Sequence, residues 1–170
     1  MHQSLNSLPQ SLLHHLGAFS RLDTLAELPQ VPVALNTLRQ SSSGEPYHVS
    51  LDAQGLTLTL QCINPTAQPE EQLWGLHGIT LDAAGWGGGW PAGLNPHEAT
   101  AADLVALFAP NPEEVMNLHP MLCFAVEGMG GQASSVLAVF DSQSKKLSTF
   151  SLLRVGEWRE LQAPRPPSLV

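Results

Sequence analysis

The sequence predicts an α+β protein, with N-terminal helices followed by an antiparallel β-sheet interrupted by one middle helix. Three observations carry that prediction. Leucines recur at helical spacing through the first forty residues, apolar and polar residues alternate from 47 to 60, and the last third is three apolar stretches separated by short turns. The reading is of one domain over residues 1–162, with a helical part at 1–40, the sheet at 47–160, a helix at 99–109 inside it, and a flexible tail at 163–170.

The helical part rests on Leu12, Leu13, Leu16 and Phe19, which share one face at i, i+1, i+4 and i+7. Leu22, Leu25 and Leu28 continue it, Gly17 and Ser20 divide it, and Pro29 and Pro32 end it. Val33 to Leu38 form a further turn of helix, and the segment from Ser41 to Pro46 is a loop. Then the period becomes two. Tyr47, Val49 and Leu51 alternate with His48, Ser50 and Asp52. After Ala53-Gln54-Gly55, Leu56, Leu58 and Leu60 alternate with Thr57, Thr59 and Gln61, so the pair reads as a hairpin. A Pro-rich polar loop covers 64–71, and a third strand runs from Leu73 to Leu81, its mixed apolar pattern leaving the register open.

The middle helix begins at Thr100-Ala101-Ala102-Asp103, which has the form of a capping box, and stops at Pro110. Asn111-Pro112-Glu113-Glu114 starts another short turn, with Asn111 as cap. Strands follow at Met121 to Val126, Ser135 to Phe140 and Leu147 to Val155, with a Gly-rich turn at 128–131 and a turn at 141–144. The tail from Ala163 to Ser168 is Pro-rich and polar, a disorder composition.

Composition narrows the function. Net charge is −8, and seven Lys and Arg contain one adjacent pair, Lys145-Lys146, too few for a phosphate-tracking patch, so nucleic acid is not the expected partner. An acidic chain suits a basic partner through electrostatic steering. Met1-His2-Gln3-Ser4-Leu5-Asn6 does not have the charged start and apolar run of a signal peptide, and no apolar run reaches the ~20 residues of a membrane span. A cytoplasmic protein with no membrane contact is therefore expected, and Cys62 and Cys123 read as two buried thiols.

Motifs of catalysis are missing. The seven histidines are scattered or, at His14-His15, point about 100° apart on a helix. There is no His-Glu-x-x-His, Cys-x-x-Cys or Gly-x-Ser-x-Gly, and Gly128-Met129-Gly130-Gly131 lies between two strands rather than before a helix. Cys123 lies in an apolar strand, where thiols are packed and inert. No catalytic residue, metal site or cofactor is expected.

What stands out is Gly85-Trp86-Gly87-Gly88-Gly89-Trp90-Pro91-Ala92-Gly93-Leu94. Glycine and proline exclude a regular helix or central strand there, so two indoles sit on a connection. Either they plug the sheet edge or they are presented as anchors for a partner. The candidate contacts are Trp86, Trp90 and Asp82, with Trp74 in a second rank.

The order of motifs has a parallel. Trp90-Pro91-Ala92-Gly93-Leu94, then Thr100-Ala101-Ala102-Asp103-Leu104 opening a helix, then Leu107-Phe108-Ala109-Pro110-Asn111-Pro112 and three strands resembles small bacterial immunity-type proteins encoded beside toxins of contact-dependent or type VI secretion systems. The resemblance covers about residues 50–160. The chain departs from the pattern in ending its helix Phe108-Ala109-Pro110 without a glycine, in inserting Gly87-Gly88-Gly89, and in its first forty residues. The resemblance implies a protein partner, a toxin, that is occluded rather than transformed. It transfers no residue, because contacts in such proteins differ with each toxin. Two other classes compete: a small-molecule or glycan binding domain that stacks its ligand on the loop tryptophans, and a secretion-apparatus accessory or chaperone-like subunit. For the last, the leucine helices of 1–40 offer a seam for a homodimer.

Overall fold

A computed structural model describes residues 10–25, 28, 45–51, 55–127 and 133–161. Among them the protein is mostly antiparallel sheet with few helices, of the α+β class. The strands are β1 (Ala18–Arg21), β2 (Tyr47–Leu51), β3 (Leu56–Cys62), β4 (Leu73–Asp82), β5 (Met116–Leu118), β6 (Met121–Glu127), β7 (Ala133–Phe140), β8 (Leu147–Arg154) and β9 (Arg159–Glu160). The helices are α1 (Gln10–His15), α2 (Leu22–Leu25) and α3 (Ala101–Phe108). None of the described helices is long and apolar enough to cross a membrane.

The hairpin alternation of 47–60 lands in register: Val49 opposes Leu58 and Ser50 opposes Thr57. Because side chains alternate, successive rows across the sheet fall on opposite faces. One row runs Val49, Leu58, Ile79, Leu152, Val136, Phe124, every member buried. The next, on the opposite face, runs Ser50, Thr57, Thr80, Ser151, Leu137, Cys123, Met116. Its hydroxyls bond to one another, Thr80 Oγ1 lying 2.8 Å from Ser151 Oγ.

Strand order is β2-β3-β4-β8-β7-β6-β5, and β4 is the branch point. Its first residues, Leu73–Gly75, pair with β1, while Gly78–Asp82 pair with β8. His77 is the extra residue of a bulge, since Thr59 opposes Gly78 and Leu60 opposes Leu76. β9 closes the β1 side in parallel, the one parallel pair of named strands described.

The main correction to the sequence reading falls on residues 10–25. Leu12, Leu13 and Leu16 are buried as one helical face, but Gly17, at φ +78, ends the helix in the left-handed region that glycine favours. Gly17 N then donates to Leu76 O at 3.0 Å, and 18–21 become a strand with Phe19 opposite Gly75. Phe19 therefore does not continue the helical face. Leu22, Leu25 and Leu28 are buried in the same core as Leu12 and Leu16, so these leucines serve the interior of the chain. The helical turn expected at 33–38, the Gly-rich turn at 128–131 and the tail at 163–170 lie outside the described residues.

α3 places Leu104 and Phe108 on the core, with Phe108 and Phe150 rings tilted at a centroid distance of 5.8 Å. Its capping box is complete: Thr100 Oγ1 accepts from Asp103 N, and Asp103 Oδ2 accepts from Thr100 N at 2.9 Å. The backbone and hydroxyl donors of Thr100 hold the Asp103 carboxyl below its usual range. Asn111, by contrast, makes no side-chain cap, and only a single 3₁₀ turn, Pro112–Glu114, follows. The thiols also part company. Cys62 is buried, and burial pushes its pKa up, while Cys123 is only half-buried, opposite Met116.

Candidate functional site

β4 ends at Asp82, and there the chain must leave the sheet. Asp82 Oδ1 accepts from Ala84 N at 2.8 Å while its carbonyl accepts from Trp86 N at 2.8 Å, the local capture that makes Asp a turn residue. Asp82 N donates to Gly55 O at 2.8 Å, binding the turn to the start of β3. The Gly-Trp segment then closes on itself. Trp86 Nε1 donates to Gly89 O at 3.2 Å, and Trp90 Nε1 donates to Trp86 O at 3.4 Å. A Cβ on Gly88 would stand 2.4 Å from the Trp86 ring, so the indole lies directly on that glycine.

The four candidate contacts separate. Asp82 is exposed and Trp86 half-buried, side by side on the loop. Trp90 is 7% exposed and belongs to the core, which removes it as a surface anchor and with it a two-ring stacking platform. Trp74 is 1% exposed, on β4 opposite Cys62 and Ser20 and away from the loop. It is a core residue and not a contact. The reason is common to both: strand register and the loop's own hydrogen bonds turn these rings inward, and neither can be read from spacing alone.

What the sequence reading missed is which turns meet Asp82. Ala83 N donates to Ser148 O at 2.8 Å and Leu147 N donates to Ala99 O at 3.0 Å, so the β7–β8 turn and the segment before α3 are drawn against the end of β4. Lys146 Nζ reaches Glu98 O at 3.2 Å. Together they form a groove of about 350 Å3, lined by Asp82, His97, Asp141, Ser144 and Lys146 above Ala83 and Leu147. Asp141 Oδ1 accepts from Ser144 N at 2.6 Å and Gln143 N at 3.1 Å, and these bonds, Ser144 first, hold its carboxyl below the usual range. Two carboxylates and the Lys146 side chain thus line it above a small apolar floor. The turn at 141–144 was legible as a turn; its meeting with Asp82 depends on strand pairing.

A second cluster surrounds Trp158, a residue that sequence reasoning passed over. Its ring lies over Gly75, where a Cβ would stand 2.4 Å away. The Arg154 guanidinium stacks 3.8 Å from its centroid, and His77 lies 6.2 Å away, ring to ring. Burial first, then the charges of Arg154 and His48, hold His77 below its ordinary pKa of 6.5. The sign follows: the folded state binds this proton less readily than the unfolded chain. Stability from this site is complete above the unfolded pKa and is lost as pH falls through the folded value. Between pH 7 and pH 5, then, His77→Gln is expected to flatten the decline of stability seen in the wild-type chain. Urea titrations of both proteins across that window measure it, and parallel curves would refute the assignment.

Among the described residues no three His, Cys, Asp or Glu side chains are grouped to share a metal ion. No family model matches the chain, and neither the curated proteins nor the solved structures compared with it provide a match.

Proposed function

We propose that this chain is a non-enzymatic, cytoplasmic binding protein whose loop end seats a basic protein partner. One observation carries the reading. The groove at the end of β4 joins Asp82 and Asp141, from separate connections, beside the half-buried Trp86 loop on a chain of net charge −8. Loops held by a rigid sheet are where binding surfaces are commonly built, and the acidic chain steers a cationic partner that Asp82 and Asp141 then orient beside Lys146. The narrower form is an immunity-type protein that occludes a toxin acting in the cytosol. It rests on the order of turns and caps over about residues 50–160.

Co-expression with the product of the neighbouring gene tests both levels. The expected outcome is a complex that survives purification and protects the host from the partner's toxicity. Reversing both groove carboxylates, Asp82→Lys with Asp141→Lys, should weaken that complex by about tenfold or more, since each approaching cation would meet a like charge. Absence of complex and of protection would end the immunity reading. A complex indifferent to the double reversal would move the contact away from this groove.

A further inference from the structure

β5 is the edge of the long strand path, and among the described residues it pairs only with β6. All three of its residues are exposed. Met116 is 57% exposed, Leu118 64%, and Met121, opposite Leu118 on β6, 43%. An edge that presents unpaired backbone groups beside clustered apolar side chains is a template for another strand. Lysine, proline or an inward charge within the strand would discourage that pairing, but Met116-Asn117-Leu118 has none of them.

Charge at the two ends of β5 selects the occupant. Glu113 and Glu114, both exposed, precede the strand. His119 follows it, with Lys145 Nζ 3.2 Å from His119 Nε2, and both are exposed. The strand therefore has an acidic end and a basic end. Turning a second copy through a two-fold axis at Asn117 sets the acidic end of each copy beside the basic end of the other, with Met116 facing the partner's Leu118. A parallel arrangement would set like charge beside like. This self-complementarity is what an isologous interface requires. We infer that a second copy of this chain docks antiparallel on β5, joining the two sheets edge to edge through Met116, Leu118 and Met121. Met116, Leu118 and Met121 lie outside the lining of the loop-end groove, and only Lys145, in the Asp141 turn, borders both surfaces.

A three-residue strand with Met121 is a short contact beside the roughly 20–30 residues a side of a standard interface, so the dimer should be weak and concentration-dependent. Sedimentation velocity on the full chain from about 10 µM to about 1 mM is the test, spanning the affinities such a contact supports. The expected result is a monomer–dimer equilibrium. Leu118→Lys should raise its dissociation constant by about tenfold or more, and Lys145→Glu should raise it by bringing acids opposite acids. The triple variant Glu113→Lys, Glu114→Lys and Lys145→Glu should restore it to within about threefold of wild type, because both ends are then reversed and again match. These residues are exposed, so unchanged circular dichroism is expected and separates lost association from lost fold. A chain that stays monomeric throughout overturns the proposal, as does a dimer insensitive to Leu118→Lys. Failure of the triple reversal to rescue overturns the antiparallel arrangement.

Discussion

Trp74→Ala is expected to lower the free energy of unfolding by about 3–5 kcal/mol, the usual cost of deleting a large aromatic ring from a packed core. Trp74 is 1% exposed on β4, with Cys62 opposite on β3 and Ser20 opposite on β1. The strand that carries it is the branch of the whole sheet, so the cavity would open where three strands meet and could not collapse without moving one of them. Its indole N–H is buried without a hydrogen-bond partner. Trp74→Phe should therefore cost much less than the alanine change, since it retains most of the ring volume and removes an unpaired donor. Denaturant titration of the three proteins tests this. A loss below about 1 kcal/mol for alanine would place Trp74 outside the core and return it to the list of contact residues.

Gly55→Ala should cost about 3–4 kcal/mol, combining left-handed backbone strain with overpacking. Gly55 has φ +65, and a Cβ there would stand 2.2 Å from Trp86 N and 2.4 Å from Gly85 C. Those obstacles are backbone, not the tip of a flexible side chain, so the Gly-Trp loop itself would have to lift from β3. For a chain of this size the change corresponds to a drop of on the order of 10 °C in melting temperature. Gly87→Ala is the internal control, because nothing lies within 4 Å of its added Cβ. Equal melting temperatures for the two variants would show that the loop is not seated on Gly55. The same experiment bears on function: lifting the loop displaces Asp82, whose amide is bonded to Gly55 O, so partner binding should fall along with stability.

Much of the sheet was legible in the sequence because its signal is local. Alternation between 47 and 60 placed the hairpin, and Thr100 with Asp103 placed the start of α3, since both patterns depend on neighbours within a few residues. β1 was not legible. Residues 18–21 are too short to show a period, and they become a strand because Gly17 turns the chain onto the free edge of β4. β5 and β9 escaped for the same reason: strands of three and two residues exist only through their partners. The candidate site divided along this line. Asp82 and the turn at Asp141 were marked by turn chemistry, whereas the burial of Trp90 and the arrival of Lys146 beside Asp82 were not.

By itself, the sequence determined the α+β class, the hairpin, the capped middle helix, the acidic charge and the position of the Gly-Trp loop on a connection. Each follows from spacing, propensity or a sum over residues, quantities that exist before the chain folds. Only the tertiary structure decided which tryptophans face inward, which turns close the groove around Asp82, and that an apolar edge is left at Met116 and Leu118. These depend on pairings between residues far apart in the chain, where register and the geometry of a branching strand, rather than local preference, choose what is covered and what is left to meet a partner.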